Sequence, residues 1–270
     1  MAMGDELLLL ATVPGRRRVR IRADDRLRFA LRASELVDLG LAGRITVSPR
    51  RIEVTDSRRV EDRRLNNVLR SLGAAAPPPN LKEWLRQTPR SLTLEYLSRL
   101  EDQKAVRVRR RREPGGRTRH DILSVDLQRR RALQARLDGV VRAGSATPKA
   151  ARDVSLALLV QAAGLAAAAY PGLRGIADRR RLAALGAPGH LTPTTAGTAA
   201  EAGEEIATAL TSGADALTRR LLGELSDLYA DFTTGGHGLA HDLDAGGWSG
   251  GGADSGHHSG GHGDGGHGGW

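Results

Sequence analysis

Cysteine is absent from this 270-residue chain. Disulfides, thiolate metal sites and cysteine nucleophiles are excluded together, and the composition suits a reducing compartment. Aromatic residues make up 3%, so the core has to be built from Leu, Val, Ile and Ala. Lysine is scarce as well, at 3 of the 41 basic residues; the positive charge is almost wholly guanidinium. Long hydrophobic runs are also missing. Val154–Tyr170 is uncharged over 17 residues, at the lower edge of the roughly 17–25 that a bilayer span needs. Ser155, Gln161, Gly164 and many alanines make it a poor inserter, and it reads as a central helix surrounded by others. The start does not read as a secretory signal: Leu7–Ala11 is short, follows Asp5-Glu6 and has no basic stretch before it.

Catalytic signatures are equally thin. There is no phosphate-cradling glycine loop ending in Lys-Ser/Thr, no nucleophile elbow and no HExxH pair. His120-Asp121 looks like a metal-hydrolase dipeptide, yet no histidine precedes it and only His190 follows before the tail, so His120 reads as a hairpin residue. Asp24-Asp25 and Glu204-Glu205 read as helix-start or surface carboxylates. The expectation is a protein that is not an enzyme, with no cofactor and no defined metal site. His237, His241, His257, His258, His262 and His267 lie in a Gly-rich tail, where flexible spacing gives adventitious metal affinity without fixed geometry.

What the chain does have is divided charge. Residues 1–150 carry 34 Lys and Arg against 18 Asp and Glu, and the remainder 7 against 13. A basic front half attracts phosphates, on lipid headgroups or on nucleic acid, and arginine forks onto phosphate oxygens as lysine cannot.

Periodicity predicts the elements. Leu7–Thr12 and Arg18–Ile21 read as short strands about a Val13-Pro14-Gly15 turn. Asp25–Leu41 reads as a helix with Leu27, Ala30, Leu31, Val37 and Leu41 on its buried face and Arg28 and Arg32 projecting opposite, capped by Asp24 or Asp25 and stopped at Gly43. Arg44–Val47 and Arg51–Thr55 form a hairpin, Val60–Leu72 a helix, and Ala74–Asn80 a proline linker. Leu81–Arg86, carrying Trp84, and Leu92–Gln103 are helices. Trp84, between Leu81 and Leu85, reads as a core anchor. Ala105–Arg112 and Arg117–Val125 form a second hairpin with a very basic tip. Asp126–Val141 is amphipathic, with Leu127, Leu133, Leu137 and Val141 inward. Gly144–Pro148 is a loop, Leu173–His190 is charged and broken, and Thr194–Phe232 is a long helix interrupted at glycines, with Ile206, Leu210, Leu217, Leu221, Leu225 and Leu228 toward the core. Gly235–Trp270 is too poor in apolar residues to fold. The expected architecture is mainly α: a single compact helical domain, residues 1–232, around a central apolar helix with peripheral β-hairpins, and a disordered Gly/His-rich tail over 233–270.

Four stretches in series, GDELLLLA, LRFALRASELVDLGLAGRI, LKEWLRQTPRSLTLEYLSRLEDQKAVRV and RTRHDILSVDLQRRRALQARL, resemble the Golgi phosphoprotein 3 family over roughly residues 5 to 230. High Arg, Ala and Gly content points to a bacterial member from a GC-rich source. The resemblance implies a peripheral membrane protein on the cytoplasmic face of a membrane (the Golgi in eukaryotic members). It also implies a pocket of arginines and a tryptophan for the phosphates of phosphatidylinositol 4-phosphate, and recruitment of partner proteins. Carried over by position, the pocket arginines fall on Arg32 and Arg90; a third falls on Thr93 and the tryptophan on Ala23, two departures that weaken headgroup selectivity. Arg28, Arg86, Arg107, Arg109, Arg110, Arg111 and Arg112 supply general attraction to an anionic surface at about 1 kcal/mol each. The resemblance also gives hairpin 105–125 a part in self-association as a homo-oligomer and in membrane contact. A competing reading is a winged-helix-like nucleic-acid binder, because a helix followed by a basic hairpin occurs twice, at Asp25–Thr55 and Leu92–Val125. Against it, neither candidate recognition helix has Asn, Gln or Arg grouped for base edges, and Leu92–Gln103 carries Glu95, Glu101 and Asp102.

Overall fold

A computed structural model of the chain describes residues 1–13, 20–21, 25–48, 51–112, 114, 116, 118–143, 151–185 and 202–234. Leu7–Thr12, expected as a strand, lies instead mostly in helix α1, Met3–Ala11. The apolar run is leucine, a strong helix former without the β-branch that favours strands. Asp5 and Glu6 sit in the first turn, where the helix dipole favours acids. The Asp5 carboxylate accepts from Ala2 N at 3.1 Å, and Asp38 accepts from Met3 N at 2.7 Å. These two bonds meet donors that every helix start leaves open.

The remaining elements largely follow the expected order. Strands β1 (Thr12–Val13) and β2 (Arg20–Ile21) pair antiparallel, Thr12 opposite Ile21. Helix α2 spans Asp25–Leu41 and stops at Gly43, where Arg44 N donates back to Leu39 O at 2.9 Å. The Asp24 cap lies outside the described residues. Strands β3 (Ile45–Val47) and β4 (Ile52–Val54) make the first hairpin. Helix α3, Arg63–Ala74, is capped by Asp62, which accepts from Arg64 N and Leu65 N. Helix α4, Leu81–Arg86, opens on a capping box between Asn80 and Glu83. Helix α5 is Leu92–Asp102. Strands β5 (Val106–Arg112) and β6 (Thr118–Val125) form the long second hairpin, with a register shift at Arg107/Val108. Helix α6 is Leu127–Ala143.

Three expectations change from α6 onward. Val154–Tyr170 is not one helix but α7 (Ala151–Ala162) and α8 (Ala166–Ala169). Gly164 has φ +68°, a conformation glycine adopts without strain, and it lets Leu165 N fold back onto Val160 O at 2.9 Å. Leu127 does not point inward; it is 46% exposed, whereas Leu133, Leu137, Val140 and Val141 are buried. It is the first residue of α6 and lies roughly 120° around the helix from Leu133. Helix α9 is Ile176–Leu185, and α10, Ala202–Thr234, runs unbroken through Gly213 and Gly223. A glycine costs up to about 1 kcal/mol in a helix; burial of Leu217, Leu221, Leu225 and Leu228 against α2 and α7 outweighs it. The side chains of Ile206 and Leu210, the loop 144–148 and the tail 235–270 lie outside the described residues.

The described residues thus form ten helices and three two-stranded antiparallel pairs. At the centre lies α1 rather than 154–170: every one of its residues is buried, enclosed by α2, α5, α6, α7 and α8. A Cβ on Gly4 would come within 2.5 Å of the Tyr96 ring, so α1 and α5 approach as closely as they do because position 4 has no side chain. No helix among the described residues is long and apolar enough to cross a membrane.

Candidate anion-binding site

Arg28 and Arg32 do not project into solvent. Helix α2 is packed by α1, α3, α4, α5, α7 and α10, which covers both sides of it; Arg32 is only 9% exposed and Arg28 is half-buried. A guanidinium in such a position needs a counter-charge. Arg32 has Glu35, one turn along, whose Oε2 accepts from Nη1 at 2.9 Å. The Arg32 guanidinium also lies over the Trp84 ring of α4, 3.7 Å from its centroid. Burial pushes the Arg32 pKa down and Glu35 pushes it back up. The cation is therefore fixed in orientation on two sides.

Glu35 is fully buried and organises more than one partner. Arg64 of α3 donates to its Oε1 and also to Glu95 of α5, and the Tyr96 hydroxyl donates to Oε1 at 3.3 Å. Burial works against the charge on Arg64, but Glu35, Tyr96 and Glu95 carry its pKa upward. Burial, then Glu35, holds the Tyr96 phenol well above its ordinary value. Neither Glu35 nor Arg64 is a candidate in the sequence alone. The available signal is a charged pair one turn apart, Arg32 and Glu35, set between the apolar residues Phe29–Leu31 and Leu36–Val37 of α2.

Arg90 lies in the turn between α4 and α5, exposed, with no ion-pair partner among the described residues. Six positions separate it from the Trp84 on which Arg32 stacks. Thr93 is half-buried on α5, and Ala23 lies outside the described residues. Arg86, at the end of α4, is engaged: Asp231 of α10 accepts from it at 3.1 Å and lies 3.5 Å from Lys82. The same end of α10 meets the start of α2, where the Tyr229 hydroxyl donates to Arg26 O at 3.0 Å. Arg28 reaches Asp25 at 3.4 Å.

The second hairpin is less bare a cation than its sequence suggests. Arg109, Arg111 and Arg119 surround Asp121 at 3.8, 3.9 and 3.3 Å, on one face. Arg110 points the other way and pairs with Glu101 of α5 at 2.5 Å, while Arg112 is exposed opposite Thr118. One carboxylate beneath three guanidiniums leaves that face net positive. Leu123, 46% exposed, adds an apolar side chain to the strand. His120 is half-buried on β6, its pKa lowered by burial and by Arg110. Among the described residues no three His, Cys, Asp or Glu side chains are grouped to hold a metal.

A cleft of about 670 Å³ opens at the start of α1, lined by Asp38, Glu61, Asp62, Arg99, Arg129 and Arg152 among others. Three acids against three arginines make it near-neutral. Arg99 holds the buried Asp5 with two bonds of 2.9 Å, and Arg136 and Arg152 hold Glu6 at 2.8 and 2.6 Å. These arginines serve α1.

Among protein families, residues 3–209 match the Golgi phosphoprotein 3 (GPP34) family. Comparison with curated proteins finds no match.

Proposed function

The chain belongs to the Golgi phosphoprotein 3 family, and from that premise we propose that it is a non-enzymatic peripheral membrane protein of the cytoplasmic face. It binds anionic lipid headgroups, phosphatidylinositol 4-phosphate first among them, through Arg32 and Arg90, and brings protein partners to the bilayer. Arg28, Arg86, Arg109, Arg110, Arg111 and Arg112 add attraction that salt screens, and hairpin 105–125 lies against the membrane or a second copy. Residues 1–232 are the binding domain and 233–270 an appended tail. The observation that carries the reading is Arg32 itself: a guanidinium oriented by Trp84 and Glu35, so that little side-chain freedom is lost when a phosphate oxygen arrives.

The competing nucleic-acid reading makes α5 a recognition helix. Its Glu95 and Glu101 are tied to Arg64 and Arg110, which occupies two guanidiniums that DNA phosphates would need.

Vesicle pelleting with a headgroup panel, run beside a gel shift with duplex DNA at the same salt, tests the proposal. Phosphatidylinositol 4-phosphate vesicles should pellet the full chain, and phosphatidylcholine alone should not. Arg90→Ala, at an exposed position, should weaken binding by about tenfold or more, the loss of one charge-assisted contact; adding Arg32→Ala should abolish it. Salt-sensitive DNA binding with no pelleting would sink the proposal.

A further inference from the structure

Four buried N–H donors among the described residues have no acceptor: Nε of Arg28, Arg32 and Arg44, and Nε1 of Trp84. Three of the four belong to α2 and α4. Arg32 and Trp84 are stacked on each other, and Arg28 precedes Arg32 by one helical turn. Folded proteins rarely leave a buried donor unpaired, and three in one neighbourhood call for an explanation. The neighbouring carboxylates of Glu35 and Asp25 do not reach these N–H groups. Glu35 gives Oε2 to the Nη1 of Arg32 and Oε1 to Arg64 and Tyr96, and Asp25 sits 3.4 Å from Nη2 of Arg28 rather than Nε. That leaves the three donors open to an acceptor from outside the chain.

Its chemistry follows from what waits for it. Every unsatisfied group is a donor, two of the three are on permanent cations, and one is an indole N–H that can only donate. A single water would leave donors over, whereas a phosphate offers several oxygens and a charge opposite to the guanidiniums. The arginine side chains are 11% and 12% exposed, so their heads reach the surface although the Nε atoms are covered.

We propose that Trp84 is a phosphate-binding residue: its Nε1–H and the Nε–H of Arg32 donate to oxygens of one phosphate group, with Arg28 flanking. The indole has two tasks, a platform for the Arg32 cation and a donor beside it. This rests on the headgroup reading above and adds to it a residue that the matched positions leave out.

The full chain carrying Trp248→Phe and Trp270→Phe keeps Trp84 as its one indole, so the ¹⁵N–¹H indole resonance reports this donor alone. Inorganic phosphate and a soluble dibutanoyl phosphatidylinositol 4-phosphate are titrated separately against sodium chloride of matched ionic strength. Saturable movement with the phosphate probes and none with chloride is the expected result; the tighter of the two identifies a free phosphate or a lipid headgroup as the source. Trp84→Phe, which keeps a ring under Arg32 but no N–H, should weaken phosphoinositide-vesicle pelleting by about tenfold while the thermal midpoint stays close to wild type. A stationary indole resonance in a chain that still pellets through Arg90 overturns the role of Trp84 and leaves the headgroup reading standing. No pelleting by the unaltered chain overturns both.

Discussion

Asp38 provides a stringent test of how this interior handles charge. Its carboxylate accepts from Met3 N at 2.7 Å, lies 3.7 Å from Arg152, and is shadowed by the acids Glu6 and Asp62. Burial dominates, and its pKa is pushed up from 3.8 to about 6. A carboxyl with a raised folded pKa contributes stability that is fully present below about pH 4 and is lost as pH rises through about 6. Two pKa units correspond to about 3 kcal/mol, all of it working against the folded chain at neutral pH. Asp38→Asn keeps an oxygen for Met3 N–H and never ionises. The variant should therefore be the more stable protein at pH 7.5. Its advantage should shrink by roughly 2 kcal/mol on going down to pH 4.5, where the folded wild-type side chain is already protonated. Urea unfolding of both proteins at the two pH values measures the gap, and other titrating groups cancel in the comparison. A gap that does not change with pH, or a variant less stable at pH 7.5, refutes the reasoning.

Glu35→Gln strips the shared counter-charge from Arg32 and Arg64 and should cost about 3–5 kcal/mol in a denaturant titration; a loss below about 1 kcal/mol would show that solvent reaches the pair. Gly4→Ala places a methyl within 2.5 Å of the Tyr96 ring and should lower stability by about 1–3 kcal/mol, read as a drop in thermal midpoint, unlike Gly73→Ala, where a methyl meets nothing within 4 Å. Replacing Arg109, Arg111 and Arg119 together with Gln should weaken binding to anionic vesicles by about 1 kcal/mol per residue at low salt and by much less at high salt; a salt-independent effect argues for a role other than surface charge.

The sequence made most of this fold legible, and the failures share a cause. Both hairpins and α2 to α6 follow from periodicity and punctuation, because their signals are local: the 74–80 prolines, Gly43, and alternation about Ser48-Pro49. Helix α1 escapes local pattern because five apolar residues in a row fit a strand or a buried helix equally, and what decides is enclosure by α5, α6 and α7. The same applies to the arginines of α2. A helix covered on one side turns its charges outward, and nothing within Asp25–Leu41 says that α3 and α4 cover the other side. Local pattern singles out Arg32 but not its surroundings. Trp84 is 52 positions away, Arg64 29 and Tyr96 61 from Glu35, separations across which single-sequence reasoning has no signal.

The enclosure of α1 also imposes an order on how the molecule is made. Asp5 waits for Arg99, and Glu6 for Arg136 and Arg152, residues translated long after the helix has left the ribosome. Until then the most apolar segment of the nascent chain carries two acids with no cation to neutralise them, which discourages early burial. The innermost helix is thus made before its counter-charges and cannot complete its charge pairing until residue 152 has emerged.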